Sequence, residues 1–134
     1  MFLQSKKNKY IKIRKGKLKK FNFKNNLIKF GEFGLKAKTS GTITIRQIES
    51  AKKAITYKVK RKGKLWIRIF TNQPVTSKTS EARMGKGKGS IKHWITKVQR
   101  GTILFEICGV PKHLAIEAFK SGSYKLSVKT KFLD

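Results

Sequence analysis

The chain has 134 residues, of which 34 are lysine or arginine and 6 are aspartate or glutamate, so its formal net charge is +28. This charge far exceeds the roughly 2–8 units that keep a small domain soluble, and it indicates a polyanionic partner such as a nucleic acid. The hydrophobic fraction of 38%, with nine phenylalanines and two tryptophans, is too high for a disordered basic tail alone. A single cysteine excludes both an internal disulfide and a Cys₂His₂ zinc site.

Residues 1–29 are rich in cations and contain no acid, with aromatic and aliphatic residues between the charges. Neither a helical nor a strand period persists through this stretch, so we predict an extended arm that becomes ordered on RNA, with a strand-like part at Tyr10–Ile13. A disordered, solvated tail is the alternative. Such a tail explains the charge of this stretch, but it explains the presence of the aromatic residues less well. The arm cations that we expect to bind RNA are Lys6, Lys7, Lys9, Lys12, Arg14, Lys15 and Lys17.

Residues 30–134 are predicted to form a single globular α+β domain, which begins with a turn and a strand running to about Thr42. Thr44 and Gln47 have the Thr-x-x-Gln spacing of a capping box, which predicts a helix start. The helix is expected to stop at Gly63. Its predicted buried face consists of Ile48, Ala51, Ile55 and Val59, and the cations Arg46, Lys53 and Lys60 fall on other faces. The helix cations that we expect to bind RNA are Arg46, Lys52 and Lys53.

The remaining strands are predicted from the alternation of apolar and polar residues, and the remaining helix from apolar residues at helical spacing. We predict a strand at Leu65–Phe70, a loop at Thr71–Gly89, strands at Ile91–Val98 and Thr102–Val110, a helix from Pro111 to Gly122, and a strand at Tyr124–Phe132. This order indicates two helices packed on one face of a mixed or antiparallel sheet.

The long loop, with a functional part within residues 71–90, is the strongest candidate site because about nineteen residues exceed an ordinary connection. Its centre is Arg83, Met84, Gly85, Lys86, Gly87, Lys88 and Gly89. Glycine adopts positive φ and carries no side chain, so backbone N–H groups here can approach phosphate while the lysines neutralise its charge. A flexible, solvated loop is the alternative interpretation.

Catalytic and metal-binding patterns are not found in the sequence. His93 and His113 have no cysteine or acid at a ligand spacing, and the acids are scattered without an acid/base pair. The glycine run lacks the Gly-Lys-[Ser/Thr] ending of a phosphate-binding P-loop. We therefore predict no enzyme activity, no cofactor, no metal and no small-molecule substrate. No apolar run approaches the ~18 residues of a membrane span, so no membrane partner is expected.

The motifs together resemble large-subunit ribosomal protein sixteen of the bacterial and organellar type. The matching stretches are Phe30-Gly-Glu-Phe-Gly-Leu-Lys-Ala37, Arg46-Gln-Ile-Glu with Ala51-Lys-Lys-Ala54, Gly63-Lys-Leu-Trp-Ile-Arg-Ile-Phe70, Arg83-Met-Gly-Lys-Gly-Lys-Gly89, Leu104-Phe-Glu with Gly109-Val110, and Glu117-Ala-Phe119. The chain departs from the family at Cys108, where an acid usually precedes Gly-Val. Lysines also replace helix arginines at Lys52 and Lys53, which keeps the charge but loses bidentate phosphate geometry.

The resemblance implies an α+β protein that is docked on large-subunit rRNA, next to neighbouring ribosomal proteins and beside the aminoacyl-tRNA site. It implies that the arm and the helix cations bind rRNA and that Arg83–Gly89 lie near the tRNA. It also implies a start without a cleaved presequence. The alternative is a stand-alone basic nucleic-acid-binding protein, such as an organellar nucleoid component. The abundance of lysine, isoleucine and asparagine favours a mitochondrial ribosome, with a plastid or the bacterial cytoplasm as alternatives.

Overall fold

A computed structural model describes residues 12–14, 16, 18 and 21–134 of the chain. The described elements are β1 (Phe33–Ala37), β2 (Gly41–Thr44), α1 (Ile45–Lys58), β3 (Lys64–Ile67), β4 (Gln73–Ser77), β5 (Ser90–Val98), β6 (Ile103–Cys108), α2 (Lys112–Ser123) and β7 (Thr130–Leu133). The predicted α+β class with two helices is confirmed.

The strands form two antiparallel sheets, whereas the sequence predicted one. The first sheet has the order β3-β6-β1-β7 and the second has the order β2-β5-β4. Each strand pair is antiparallel, so the mixed pairing that the prediction allowed does not occur among these strands. The two sheets are connected directly, because β5 of the second sheet is followed by the turn at Arg100 and Gly101 and then by β6 of the first.

The start of α1 is set by the predicted capping box. The Thr44 side chain accepts a hydrogen bond from the Gln47 backbone N–H, and the Gln47 side chain accepts one from the Thr44 N–H at 2.9 Å. The helix ends at Lys58, five residues before the predicted stop at Gly63. Gly63 has a different role: its φ is +73°, and an added Cβ would lie 2.3 Å from the Cys108 carbonyl oxygen. The glycine therefore lets the chain approach β6 closely as it enters β3.

One hydrophobic core joins the helices to the sheets. The predicted buried face of α1 is buried in the core, to which the first sheet contributes Leu35, Phe105 and Ile107. The α2 residue Phe119 lies against Phe132 of β7, with ring centroids 6.0 Å apart. Burial of this apolar surface is the main force that holds the layers together.

The C-terminal part differs from the prediction at both ends of α2. Pro111 is the residue before the helix and not its first residue, and the helix continues one residue past Gly122. The last strand begins at Thr130 and not at Tyr124, because the chain first turns through the bonds from the Lys125 and Leu126 N–H groups back to the end of α2. Lys112 pairs with Asp134, and the hydrogen bond and charge of the lysine lower the pKa of that carboxyl.

Candidate nucleic-acid interface

The glycine- and lysine-rich segment forms the end of a β-hairpin. The predicted loop at Thr71–Gly89 is wrong in its first part, because β4 lies within it and pairs with β5. Pro74 belongs to β4, which is an edge strand of the second sheet, where the missing N–H of proline is tolerated. The connection that remains, residues 78–89, projects from the two strands as the hairpin loop.

The centre of the hairpin loop has a backbone that glycine makes possible. Gly85, Lys86 and Gly87 have successive φ values of +93°, +49° and +83°. No atom lies within 4 Å of a Cβ built on Gly85 or Gly87, so the space beside both residues is open to a ligand. Gly89 differs, because a Cβ there would lie 2.5 Å from the Ser77 carbonyl oxygen. The first two glycines thus shape an accessible backbone, and Gly89 permits the strands to meet.

Residues 78–88 of the hairpin loop are exposed to solvent. Arg83, Met84, Lys86 and Lys88 are all exposed. Lys78, which the sequence analysis did not single out, donates a hydrogen bond across the loop to the Gly85 carbonyl oxygen. Lys78 and Gly85 are seven residues apart in a loop, and no sequence pattern predicts a hydrogen bond between them.

The described part of the arm meets the hairpin loop at Lys88. Lys12 donates to the Lys88 carbonyl oxygen at 2.7 Å, and Lys88 donates to the Ile13 carbonyl oxygen at 2.7 Å. Lys12 and Ile13 are not in a strand, so the strand-like part predicted at Tyr10–Ile13 is wrong for these two residues. Arg14 is exposed and lines a groove of about 650 Å³ between the arm and the second sheet. The predicted arm residues Tyr10, Lys6, Lys7, Lys9, Lys15 and Lys17 lie outside the described residues.

The three predicted helix cations lie on α1 and are exposed. Arg46, at the start of the helix, borders a surface depression together with Lys92 and Trp94 of β5. It is therefore next to the strand that leads from the hairpin loop. Lys52 and Lys53 follow on the outer side of the same helix, and neither lines that depression.

Residues 21–31 run along the first sheet and are fixed to it by hydrogen bonds. The Asn22 N–H donates to the Arg100 carbonyl oxygen at 2.9 Å, and the Ile103 N–H donates to the Asn25 carbonyl oxygen at 3.0 Å. A parallel bridge also joins Phe21 to Arg100. These contacts bring the last part of the predicted arm onto the domain. That residues 30–134 fold without residues 1–29 stays a prediction.

Glu106 holds the end of this segment in place. Its carboxylate is fully buried in β6 and accepts hydrogen bonds from the N–H groups of Lys29, Phe30 and Gly31, the shortest at 2.7 Å. Arg68 supplies a charged donor to the same carboxylate. In the sequence, Glu106 is one of six acids that show no acid/base pairing. An acid inside the apolar strand Ile103–Cys108 was a signal that it would need buried partners.

The residues considered for catalysis or metal binding do not come together. His93 and His113 are exposed on β5 and α2, and Cys108 is half-buried at the end of β6. Within residues 12–14, 16, 18 and 21–134, no three histidine, cysteine or acidic residues are grouped as metal ligands would be. The same part of the chain contains no helix with the length and apolar character needed to cross a membrane.

Comparison with known proteins gives one consistent match. A family described as ribosomal protein L16p/L10e matches residues 5–133. Relatives named large ribosomal subunit protein uL16 are 48% identical over 131 residues in Aeromonas hydrophila and 49% identical over 130 residues in Dichelobacter nodosus. These alignments cover 98% and 97% of this chain and 96% and 95% of the two relatives. The relative from Xanthomonas campestris is 45% identical over 131 residues.

Proposed function

Because the chain belongs to the ribosomal protein L16p/L10e family, it is a structural constituent of the large ribosomal subunit, and we propose that it lies beside the aminoacyl-tRNA site. Its partners are rRNA and other proteins of the subunit, and it is not an enzyme. The finer proposal assigns the hairpin loop to the tRNA and the arm with the α1 cations to rRNA.

The single observation that carries the tRNA proposal is the form of the hairpin loop. Its backbone is open at Gly85 and Gly87, and its cations at Arg83, Lys86 and Lys88 are exposed on a support of two paired strands. Exposed N–H groups and ammonium groups together suit a phosphate backbone. A hairpin that holds them away from the core can reach a ligand that moves through the subunit.

For rRNA binding, the support is charge and its distribution. The chain carries 34 basic residues, and the described arm cations Lys12 and Arg14 are exposed, as are Arg46, Lys52 and Lys53 on α1. Cations reduce the repulsion between packed RNA helices by replacing condensed counterions. The role is therefore that of a scaffold, and peptide-bond chemistry belongs to the RNA.

The ribosome that contains this chain is proposed to be of the bacterial type. The relatives named above are bacterial, which favours the bacterial cytoplasm over the mitochondrial matrix that composition suggested. A mitochondrial or plastid location rests on composition alone. Family membership also disfavours the stand-alone nucleoid protein, and co-sedimentation with large subunits after a high-salt wash separates the two functions.

The test of the tRNA proposal is a triple variant of the hairpin loop, in which Arg83, Lys86 and Lys88 are all changed to alanine. A matched control removes three exposed lysines from the opposite end of the chain, namely Lys120, Lys125 and Lys129. Ribosomes carrying each variant are purified, and the occupancy of the protein and the affinity for aminoacyl-tRNA are measured.

We expect both variants to be present at full occupancy and only the loop variant to bind aminoacyl-tRNA more weakly. Folding should change little, because surface substitutions usually alter stability by less than ~0.5 kcal/mol each. Normal tRNA affinity at full occupancy in the loop variant would refute the tRNA contact. Loss of the loop variant from the subunits would show that the loop anchors the protein to rRNA instead.

A further inference from the structure

Large apolar side chains are exposed on residues 21–31, the segment that runs along the first sheet. Phe23 is 81% exposed, Leu27 is 71% exposed and Phe30 is 58% exposed. We call these three residues the outer stripe. Three large exposed apolar side chains within eight consecutive residues, on a backbone that is bonded to the domain, indicate a surface that another molecule covers.

The outer stripe is presented by a fixed backbone. The Asn22 side chain accepts from the N–H groups of Lys24 and Asn25 and donates to the Thr102 hydroxyl at 3.0 Å. The far end of the segment is held by the Glu106 carboxylate, which binds the Phe30 N–H at 2.7 Å. Phe23 also contacts Phe21, with ring centroids 4.9 Å apart. The exposed rings are thus positioned before a partner arrives.

Cations and aromatic rings alternate around Phe30. The Arg68 guanidinium lies 4.8 Å from the Phe30 ring centre, and the Trp66 ring is stacked near it at 6.3 Å. The ammonium group of Lys64 lies 5.1 Å from the Trp66 ring centre. Residues 21–31 add the exposed cations Lys24 and Lys29 and contain no acid. A partner of this surface therefore combines flat apolar groups with negative charge.

We propose that the outer stripe stacks unpaired bases of rRNA, with Phe23 and Phe30 as the stacking rings and Lys24 and Lys29 on the adjoining phosphates. This rests on the proposed function only in that it requires RNA as the partner. Every base has a π face, and proteins bind unpaired bases by stacking them on aromatic rings and guanidinium groups beside a basic track. A neighbouring protein fits less well, because the cores of protein interfaces are depleted of lysine.

Phe23 is the residue on which to test the proposal, because so little of it is buried that folding does not depend on it. The variants are Phe23→Ala, which removes the ring, and Phe23→Trp, which restores a stacking surface. Tyr57→Ala is the matched control, since Tyr57 is an equally exposed aromatic residue (83%) on α1. The full-length proteins are titrated with three probes: single-stranded oligoadenylate, an abasic strand of equal length, and an RNA duplex.

We expect Phe23→Ala to weaken oligoadenylate binding by about 5- to 160-fold, the range that corresponds to one base stacked on one ring. The abasic strand and the duplex should bind Phe23→Ala and the unchanged protein equally, because they offer charge without a free base. Phe23→Trp should restore oligoadenylate binding, and Tyr57→Ala should not alter it. Equal effects of Phe23→Ala and Tyr57→Ala, or equal loss on the abasic strand, would overturn the proposal.

Assembled subunits give the second measurement. In subunits that contain Phe23→Ala, we expect dimethyl sulfate to modify one or more unpaired rRNA bases that are protected in the unchanged particle. Unchanged base reactivity together with loss of a neighbouring protein would show that the stripe binds protein and would overturn the proposal. Failure of the unchanged protein to enter subunits would instead refute the ribosomal function itself, so the two failures are distinguishable.

Discussion

Arg68 donates a hydrogen bond to the Glu106 carboxylate, and this pair joins the end of β3 to the middle of the first sheet. The carboxylate has no exposed surface, and its other partners are backbone N–H groups of residues 29–31. One acid therefore fixes three parts of the chain that are far apart in sequence. A buried charge of this kind is costly when one partner is removed, because the other remains away from water.

The first prediction is that Glu106→Gln destabilises the folded protein by about 3–5 kcal/mol, the usual cost of breaking a buried ion pair. The amide keeps the size of the side chain but loses the charge that the Arg68 guanidinium requires. Urea unfolding followed by circular dichroism measures the effect. Glu117→Gln, a change at an exposed residue of α2, is the control and should alter the free energy of unfolding by less than ~0.5 kcal/mol. A loss below about 1 kcal/mol for Glu106→Gln would contradict the assigned role.

The second prediction compares two truncations without RNA. A protein lacking residues 1–29 should still unfold cooperatively, because the buried residues of the core lie within residues 35–128. It should be less stable than a protein lacking residues 1–20, which keeps the bonds of Asn22 and Asn25 to the domain. Thermal unfolding measures both. Equal stability would show that residues 21–29 only lie on the sheet, and non-cooperative unfolding of the shorter protein would show that they belong to the fold.

The third prediction separates two roles of glycine in the hairpin. Gly89→Ala should disturb the pairing of β4 with β5, because the new Cβ meets the Ser77 backbone, and overpacking of this kind costs about 1–3 kcal/mol. Gly85→Ala adds a methyl group in open space. The free-energy cost of this change therefore comes from the backbone strain of alanine at a φ of +93°, and it stays within the hairpin loop. Amide hydrogen exchange in β4 and β5 should therefore accelerate in the first variant only. Acceleration in both would show that the loop and strands unfold together.

The fourth prediction concerns salt. If Lys86 neutralises one phosphate, Lys86→Ala should reduce the slope of log K against log salt by about 0.7–0.9 for RNA bound at the hairpin loop. Lys120→Ala, an exposed lysine on α2, should leave the slope unchanged. Binding of aminoacyl-tRNA to subunits that carry each variant is measured at several salt concentrations. An unchanged slope for Lys86→Ala means that this side chain contacts no phosphate.

The parts of the fold that the sequence predicted well are those whose signals are local. The start of α1 follows from Thr44 and Gln47, which are three residues apart, and its buried face follows from Ile48, Ala51 and Ile55. The family resemblance was also readable, because its motifs are short and their order along the chain is specific. The glycines that shape the hairpin loop were identified for the same reason.

What the sequence did not predict depends on contacts between distant residues. The Glu106 carboxylate binds N–H groups 75 to 77 positions away, and no local pattern records such a meeting. Two sheets replaced the single predicted sheet because strand pairing is decided by the packing of the whole domain. β4 was missed because Pro74 usually indicates a loop, and only its edge position makes the strand acceptable.

The position of β1 in the first sheet has a consequence for the order of events during synthesis. β1 lies between β6 and β7, and β7 follows all the other described strands along the chain. One edge of β1 therefore stays unpaired until β7 has been synthesised. An unpaired edge is a template for aggregation, so a chain released before Thr130 would expose the edge of β1 that β7 otherwise covers.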